Sequence, residues 1–187
     1  MDTKALQLLS RFALSANCPA NVDRSVLEKF LAEGGAEGVE AELKKYKYLY
    51  SHLRLLAELL GKPEFSYEVA TAYIFGNSRL KVATESYERL LEIFAEQGVA
   101  GDKMAFFREH RPTIFQPNHL QHVLGDVAAL GLTGGLAEKA KHNCMVSLEQ
   151  REEGAVATHW GKVIAALSPE EEQELKESIR QMQEAWS

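Results

Sequence analysis

Apolar residues recur along most of the chain at the three-to-four spacing of amphipathic helices. Leu6, Leu9, Phe12 and Ala13 share one face of a helix over residues 4–15. Asn17-Cys18-Pro19 ends it, because a proline pushes the residue before it out of helical geometry. Asp23 stands where it can cap a short second helix carrying Val26, Leu27, Phe30 and Leu31, and Gly34-Gly35 closes that helix. Val39, Leu43, Tyr46, Leu49, Tyr50, Leu53, Leu56 and Leu60 stripe one long helix over 38–60, stopped by Gly61-Lys62-Pro63. Ser66 caps the next, over 67–97, where Gly76-Asn77-Ser78 predicts a kink or a division into two helices.

Beyond a turn at 98–102, Met104 opens another short helix, and Pro112 and Pro117 frame a non-helical segment. Asn118 and Thr133 are placed to cap helices over 119–130 and 134–142. The pattern then changes. Val146-Ser147-Leu148 and Ala155-Val156-Ala157-Thr158 flank the polar turn Arg151-Glu152-Glu153-Gly154. This reads as a small β-hairpin near 144–160, with irregular chain as the alternative. Two strands alone are marginal in water, so a hairpin must lean on the helices. Ser168-Pro169-Glu170-Glu171 supplies a serine cap, a proline at the first helical position and a glutamate three after the cap. It opens a closing helix over 169–186. The expectation is a mostly α fold: one helical domain over 1–187, a multi-helix orthogonal bundle of about seven or eight helices with the hairpin before the last of them.

Composition narrows the class. The chain has 187 residues, 45% of them hydrophobic and 26% charged, which suits a globular core. A formal net charge of -6 reads against nucleic acid and against an anionic membrane surface as partners. No apolar run reaches the ~18 residues needed to span a bilayer. The amphipathic N-terminus, with Arg11 inside it, lacks the apolar core of a signal peptide. A cytoplasmic location is expected, with Cys18 and Cys144 as reduced thiols.

The chemistry-bearing residues are few. On a helix over 119–130, His119 and His122 stand at i and i+3 with both imidazoles on one face, a spacing that lets two histidines share a metal ion. The same pair also fits capping, packing or solvation. Glu138 and His142 are four apart, and Cys144 could add a thiolate; a free cysteine is more often a small buried hydrophobe. A metal site would therefore join His119, His122, His142 and Cys144 from separate segments, and would take nickel, zinc or iron. His159-Trp160-Gly161 is placed to line a pocket, with a core role as the tryptophan's default. Glu85, Glu88, Glu92 and Glu96 form a carboxylate stripe which, with Lys81 and Arg89 nearby, reads as a solvated face. No Cys-x-x-Cys, His-Glu-x-x-His or Gly-x-Ser-x-Gly occurs.

Several short signatures stand in a distinctive order: Arg11-Phe12-Ala13, Asn17-Cys18-Pro19, Tyr48-Leu49-Tyr50 through Leu60-Gly61, Ala72-Tyr73-Ile74-Phe75-Gly76-Asn77, His119-x-x-His122-Val123, Asn143-Cys144 and His159-Trp160-Gly161-Lys162-Val163. In this order the chain resembles a bacterial and archaeal helical family of unknown function associated with nickel–iron hydrogenase maturation genes. Members of that family carry a longer β-rich segment between the Asn-Cys and His-Trp-Gly elements, which the resemblance implies is reduced here to a hairpin.

Three functions follow. The first is a non-enzymatic helical accessory or adaptor protein, acting through contacts with a protein partner or with copies of itself in metalloenzyme maturation. The second is a metal- or cofactor-binding protein using His119 and His122 with Cys144 or His142. The third is a small cysteine-dependent enzyme in which Cys144 or Cys18 is paired with a histidine base. The lack of a catalytic motif leans away from an enzyme.

Overall fold

The computed structural model describes residues 2–16, 21–80, 84–101, 104, 105, 108, 134 and 146–184. Among them are seven helices: α1 (Thr3–Ser15), α2 (Arg24–Glu33), α3 (Val39–Lys45), α4 (Lys47–Leu60), α5 (Tyr67–Phe75), α6 (Thr84–Glu96) and α7 (Pro169–Glu184). Three strands stand between α6 and α7: β1 (Val146–Arg151), β2 (Gly154–His159) and β3 (Lys162–Ala166). The chain is thus mostly helical with a small antiparallel sheet, as its periodicity predicts. It divides into two compact units, 1–73 with 81–111, and 74–80 with 112–187. The helices expected over 119–130 and 134–142 lie outside the described residues, apart from Gly134, which is helical.

In the first unit, side chains close the starts of α1, α2 and α5. The Asp2 carboxylate caps two helices at once. Its Oδ1 accepts from the Lys4 and Ala5 amides at 3.1 and 3.2 Å, and its Oδ2 accepts from the amide of Tyr67, the first residue of α5, at 2.9 Å. Three donors that helix geometry leaves unpartnered are satisfied by one group. Asp23 caps α2 as expected, accepting from the Ser25 amide at 3.0 Å.

The helix expected over 38–60 is two helices, parted at Tyr46, whose φ of -78° and ψ of 73° leave helical geometry. No glycine or proline marks this break. The apolar stripe passes through it unaltered, since Val39 and Leu43 before it and Leu49, Leu53 and Leu56 after it are all fully buried. Periodicity alone therefore could not find it.

The core of this unit joins Leu6, Leu9 and Phe12 of α1 to Leu27 and Phe30 of α2, and to α4 and α6. An aromatic cluster sits within it. Phe12 meets Tyr73 edge-on at 5.8 Å, and Tyr48 stacks on Phe94 at 5.5 Å. The fully buried His52 ring lies 4.7, 5.5 and 5.6 Å from Tyr48, Tyr73 and Phe94. His52 Nδ1 stands 2.8 Å from the Tyr48 carbonyl, which can only accept, so the proton is on Nδ1. Burial pushes the Tyr73 phenol well up, so it stays neutral.

The second unit carries the sheet. Its order is β1-β2-β3, antiparallel throughout. The hairpin expected near 144–160 is present, and a third strand follows it. That strand escapes a period-of-two reading because its register shifts: Ala157 pairs with Ala165, but Thr158 pairs with Val163, leaving Ile164 as an extra residue. This bulge breaks the alternation of side chains along β3. After β3 the Leu167 amide bonds back to the Ala155 carbonyl at 2.9 Å. The predicted capping box then forms: the Glu171 amide donates to Ser168 Oγ at 3.2 Å, and the Ser168 amide to the Glu171 carboxylate at 2.8 Å.

The division expected at Gly76-Asn77-Ser78 is complete, with α5 ending at Phe75. The segment that follows is tied to α7. Glu174 accepts from the Ser78 amide at 2.8 Å and from the Ser78 hydroxyl at 3.1 Å. Gly76, at φ 94°, lies against Ser178.

Candidate functional site

Of the residues singled out from the sequence, His119, His122, His142, Cys144 and Cys18 lie outside the described residues. Among the described residues no group of three or more His, Cys, Asp or Glu side chains could hold a metal ion. The carboxylate stripe on α6 behaves as a charged surface. Arg89 holds Glu58 of α4 through two bonds of 2.9 and 2.8 Å, and reaches Glu92 at 2.9 Å and Glu96 at 3.3 Å. Arg54 meets Glu96 at 2.8 Å. These partners hold the Glu58 and Glu96 carboxyls below their ordinary range, through the bond from Arg89 in the first case and from Arg54 in the second. Such exposed pairs fix the surface between α4 and α6 but are screened by water and salt.

His159 and Trp160 are described, and they part company. His159 is buried on β2, whereas Trp160 is 40% exposed. The expectation that Trp160 takes its default core role fails, and the turn explains why. His159 pairs with Lys162, so Trp160-Gly161 is a two-residue hairpin loop. Its φ angles are 53° at Trp160 and 69° at Gly161, the paired positive values of a type I′ turn. That turn matches the right-handed twist of the strands and is ordinarily built from Asn-Gly or Gly-Gly. A tryptophan at the first position sets its Cβ against the following carbonyl, at roughly 1–2 kcal/mol. Trp160 is the sole non-glycine residue with positive φ among the described residues. Strain of this kind persists only where the surrounding structure holds it, and it clusters at functional sites.

The sheet has two unlike faces. Register places Val146, Ala155, Ala157 and His159 on the buried one, and α7 reaches it through Gln150 Nε2, which donates to Glu172 Oε1 at 2.7 Å. Register places Glu149 and Arg151 of β1, Val156 and Thr158 of β2, and Val163 and Ala166 of β3 on the other, where Thr158 alone of these six is buried. Val163 is 42% exposed. A groove of about 610 Å³ runs over this outer face, floored by Val156, Val163 and Ala166 and rimmed by Arg151, Glu152 and Glu153. Of the three exposed large hydrophobic residues described, Leu59, Trp160 and Val163, two belong to this one meander.

A second groove, of about 930 Å³, lies in the first unit between the starts of α1 and α5. Its helix ends are already occupied by the Asp2 carboxylate. Its Lys44 ammonium rests 5.5 and 5.6 Å above the Tyr50 and Phe65 rings. Tyr50 donates to Glu64 at 2.8 Å, and burial, with that acceptor, pushes the phenol up to about 12. Lysines and carboxylates alternate along its walls, so it offers no field of one sign. The meander is the stronger candidate site.

The signal for it was in the sequence: a bulky aromatic immediately before a glycine, between two β-prone runs. His-Trp-Gly reads as a pocket element, but the exposure of Trp160 depends on Lys162–Ala166 being a strand. Compared with protein-family models, with curated proteins and with solved structures, the chain matches none.

Proposed function

We propose that this chain is a non-enzymatic accessory protein that holds a protein partner through the outer face and Trp160 turn of its β-meander. The supporting observation is Trp160 itself. An indole is held two-fifths exposed on a turn whose geometry favours glycine or asparagine, beside the exposed Val163. Large aromatic residues dominate the energetics of protein interfaces because they bury much area at small entropic cost. A residue that strains the fold and exposes apolar surface is a poor choice for stability and a good one for contact.

The resemblance to the hydrogenase-maturation family makes a metalloenzyme precursor the partner of choice, met in the cytoplasm. On this reading the helices are the orthogonal bundle of about seven or eight expected from the sequence, and the meander supplies the contact surface. The test is direct binding of the purified chain to the large-subunit precursor of a nickel–iron hydrogenase, followed by biolayer interferometry. A dissociation constant in the micromolar range, about -8 kcal/mol, is expected. No binding at tens of micromolar would rule out this partner. Unchanged binding after removal of the meander's indole would rule out this surface.

A further inference from the structure

We propose that the groove on the outer face takes an extended, basic segment of the partner, with an apolar side chain against Val156, Val163 and Ala166 and a lysine or arginine against Glu152 and Glu153. This rests on the accessory reading and adds the chemistry of what is held. The floor is apolar and the rim is negative. Arg151, the rim's cation, is engaged by Glu149 at 3.1 Å, whereas Glu152 and Glu153 are exposed and in no ion pair among the described residues. The groove therefore complements a cation beside an apolar group. The occupant is extended because β3, an edge strand like β1, pairs with β2 alone among the described strands, and no described strand lies along its other edge. An added strand uses such an edge for affinity and alternate side-chain pockets for specificity. The occupant is short because the bulge at Ile164 interrupts the edge and Lys162 guards its start.

Fluorescence anisotropy with two labelled hexapeptides tests this: acetyl-Lys-Val-Lys-Val-Lys-Val-amide and its glutamate counterpart, acetyl-Glu-Val-Glu-Val-Glu-Val-amide. The lysine peptide is expected to bind the full chain at least ten-fold more tightly than the glutamate peptide. The double variant Glu152→Lys, Glu153→Lys is expected to lose that preference. The charge-matched control Glu33→Lys, Glu37→Lys, on exposed residues of the first unit, is expected to keep it. Equal binding of both peptides, or equal loss in the two double variants, overturns the proposal by reducing the effect to net charge. Concentration-dependent dimerisation abolished by Val163→Asp would put a second copy of the chain in the groove and also overturn it. If the hydrogenase precursor binds while neither peptide does, the groove inference falls and the accessory reading stands. If the lysine peptide binds as stated while the precursor does not, the groove inference stands and the hydrogenase precursor is ruled out as the partner.

Discussion

A β-carbon placed on Gly76 would lie 1.7 Å from the Ser178 hydroxyl oxygen and 2.8 Å from its Cβ. The segment after α5 thus lies too close to α7 to admit a side chain at this position. Gly76 is required twice, for this contact and for its φ of 94°. Gly76→Ala should destabilise the second unit by about 1–3 kcal/mol, the usual cost of overpacking. Adding Ser178→Gly should restore only part of this, since the steric clash goes and the backbone strain stays. Urea midpoints of the two single variants and the double variant measure that coupling. Full additivity would show that the approach is not felt.

Asp2 closes α1 and α5 together, although its two capped helices begin far apart in sequence. Asp2→Ala should lower stability by about 1–2 kcal/mol, the range of a strong cap. Amide exchange should rise at Lys4, Ala5 and Tyr67 together. Faster exchange at Lys4 and Ala5 alone would mean that the bond to Tyr67 is not formed in solution.

Stability should also fall in alkali through Tyr50. Its folded value is raised from 10.0 to about 12 by burial and then by the bond to Glu64. A group raised on folding contributes stability that is complete below its unfolded value and is lost as pH rises through the folded one. The window is therefore between pH 10 and about 12. Tyr50→Phe should flatten the fall of the urea midpoint across that window. An unchanged slope would show that Tyr50 is not held there. At the acid end the sign is opposite. Arg180, then Gln181, hold Glu177 down to about 2 from 4.5, so its contribution is lost as pH falls between those values.

Much of the helical layout was legible because amphipathic period and caps are local. The Asp23 cap, the Gly34 and Gly61 stops and the Ser168 capping box depend on residues a few positions apart. What was hidden depends on distant partners or on departures from period. The second duty of Asp2 needs Tyr67. The break at Tyr46 lies inside an unbroken apolar stripe. His52, one histidine among six and marked by no motif, is the residue around which Tyr48, Tyr73 and Phe94 assemble. The third strand was masked by its own bulge at Ile164. The site followed the strand: without β3 there is no two-residue turn, and without that turn no reason for Trp160 to be outside.

On the accessory reading, Trp160 is kept for contact at a cost to the fold. Trp160→Asn tests both halves in one variant, because Asn-Gly is the preferred pair for this turn. Removing the left-handed tryptophan should raise stability by about 1 kcal/mol, seen as a higher melting temperature. The same variant should bind the hydrogenase precursor at least ten-fold more weakly, a loss of about 1.4 kcal/mol or more. A variant that melts higher and binds ten-fold more weakly is the predicted result. A variant that binds the precursor as tightly as the original chain would contradict the account, whatever its melting temperature.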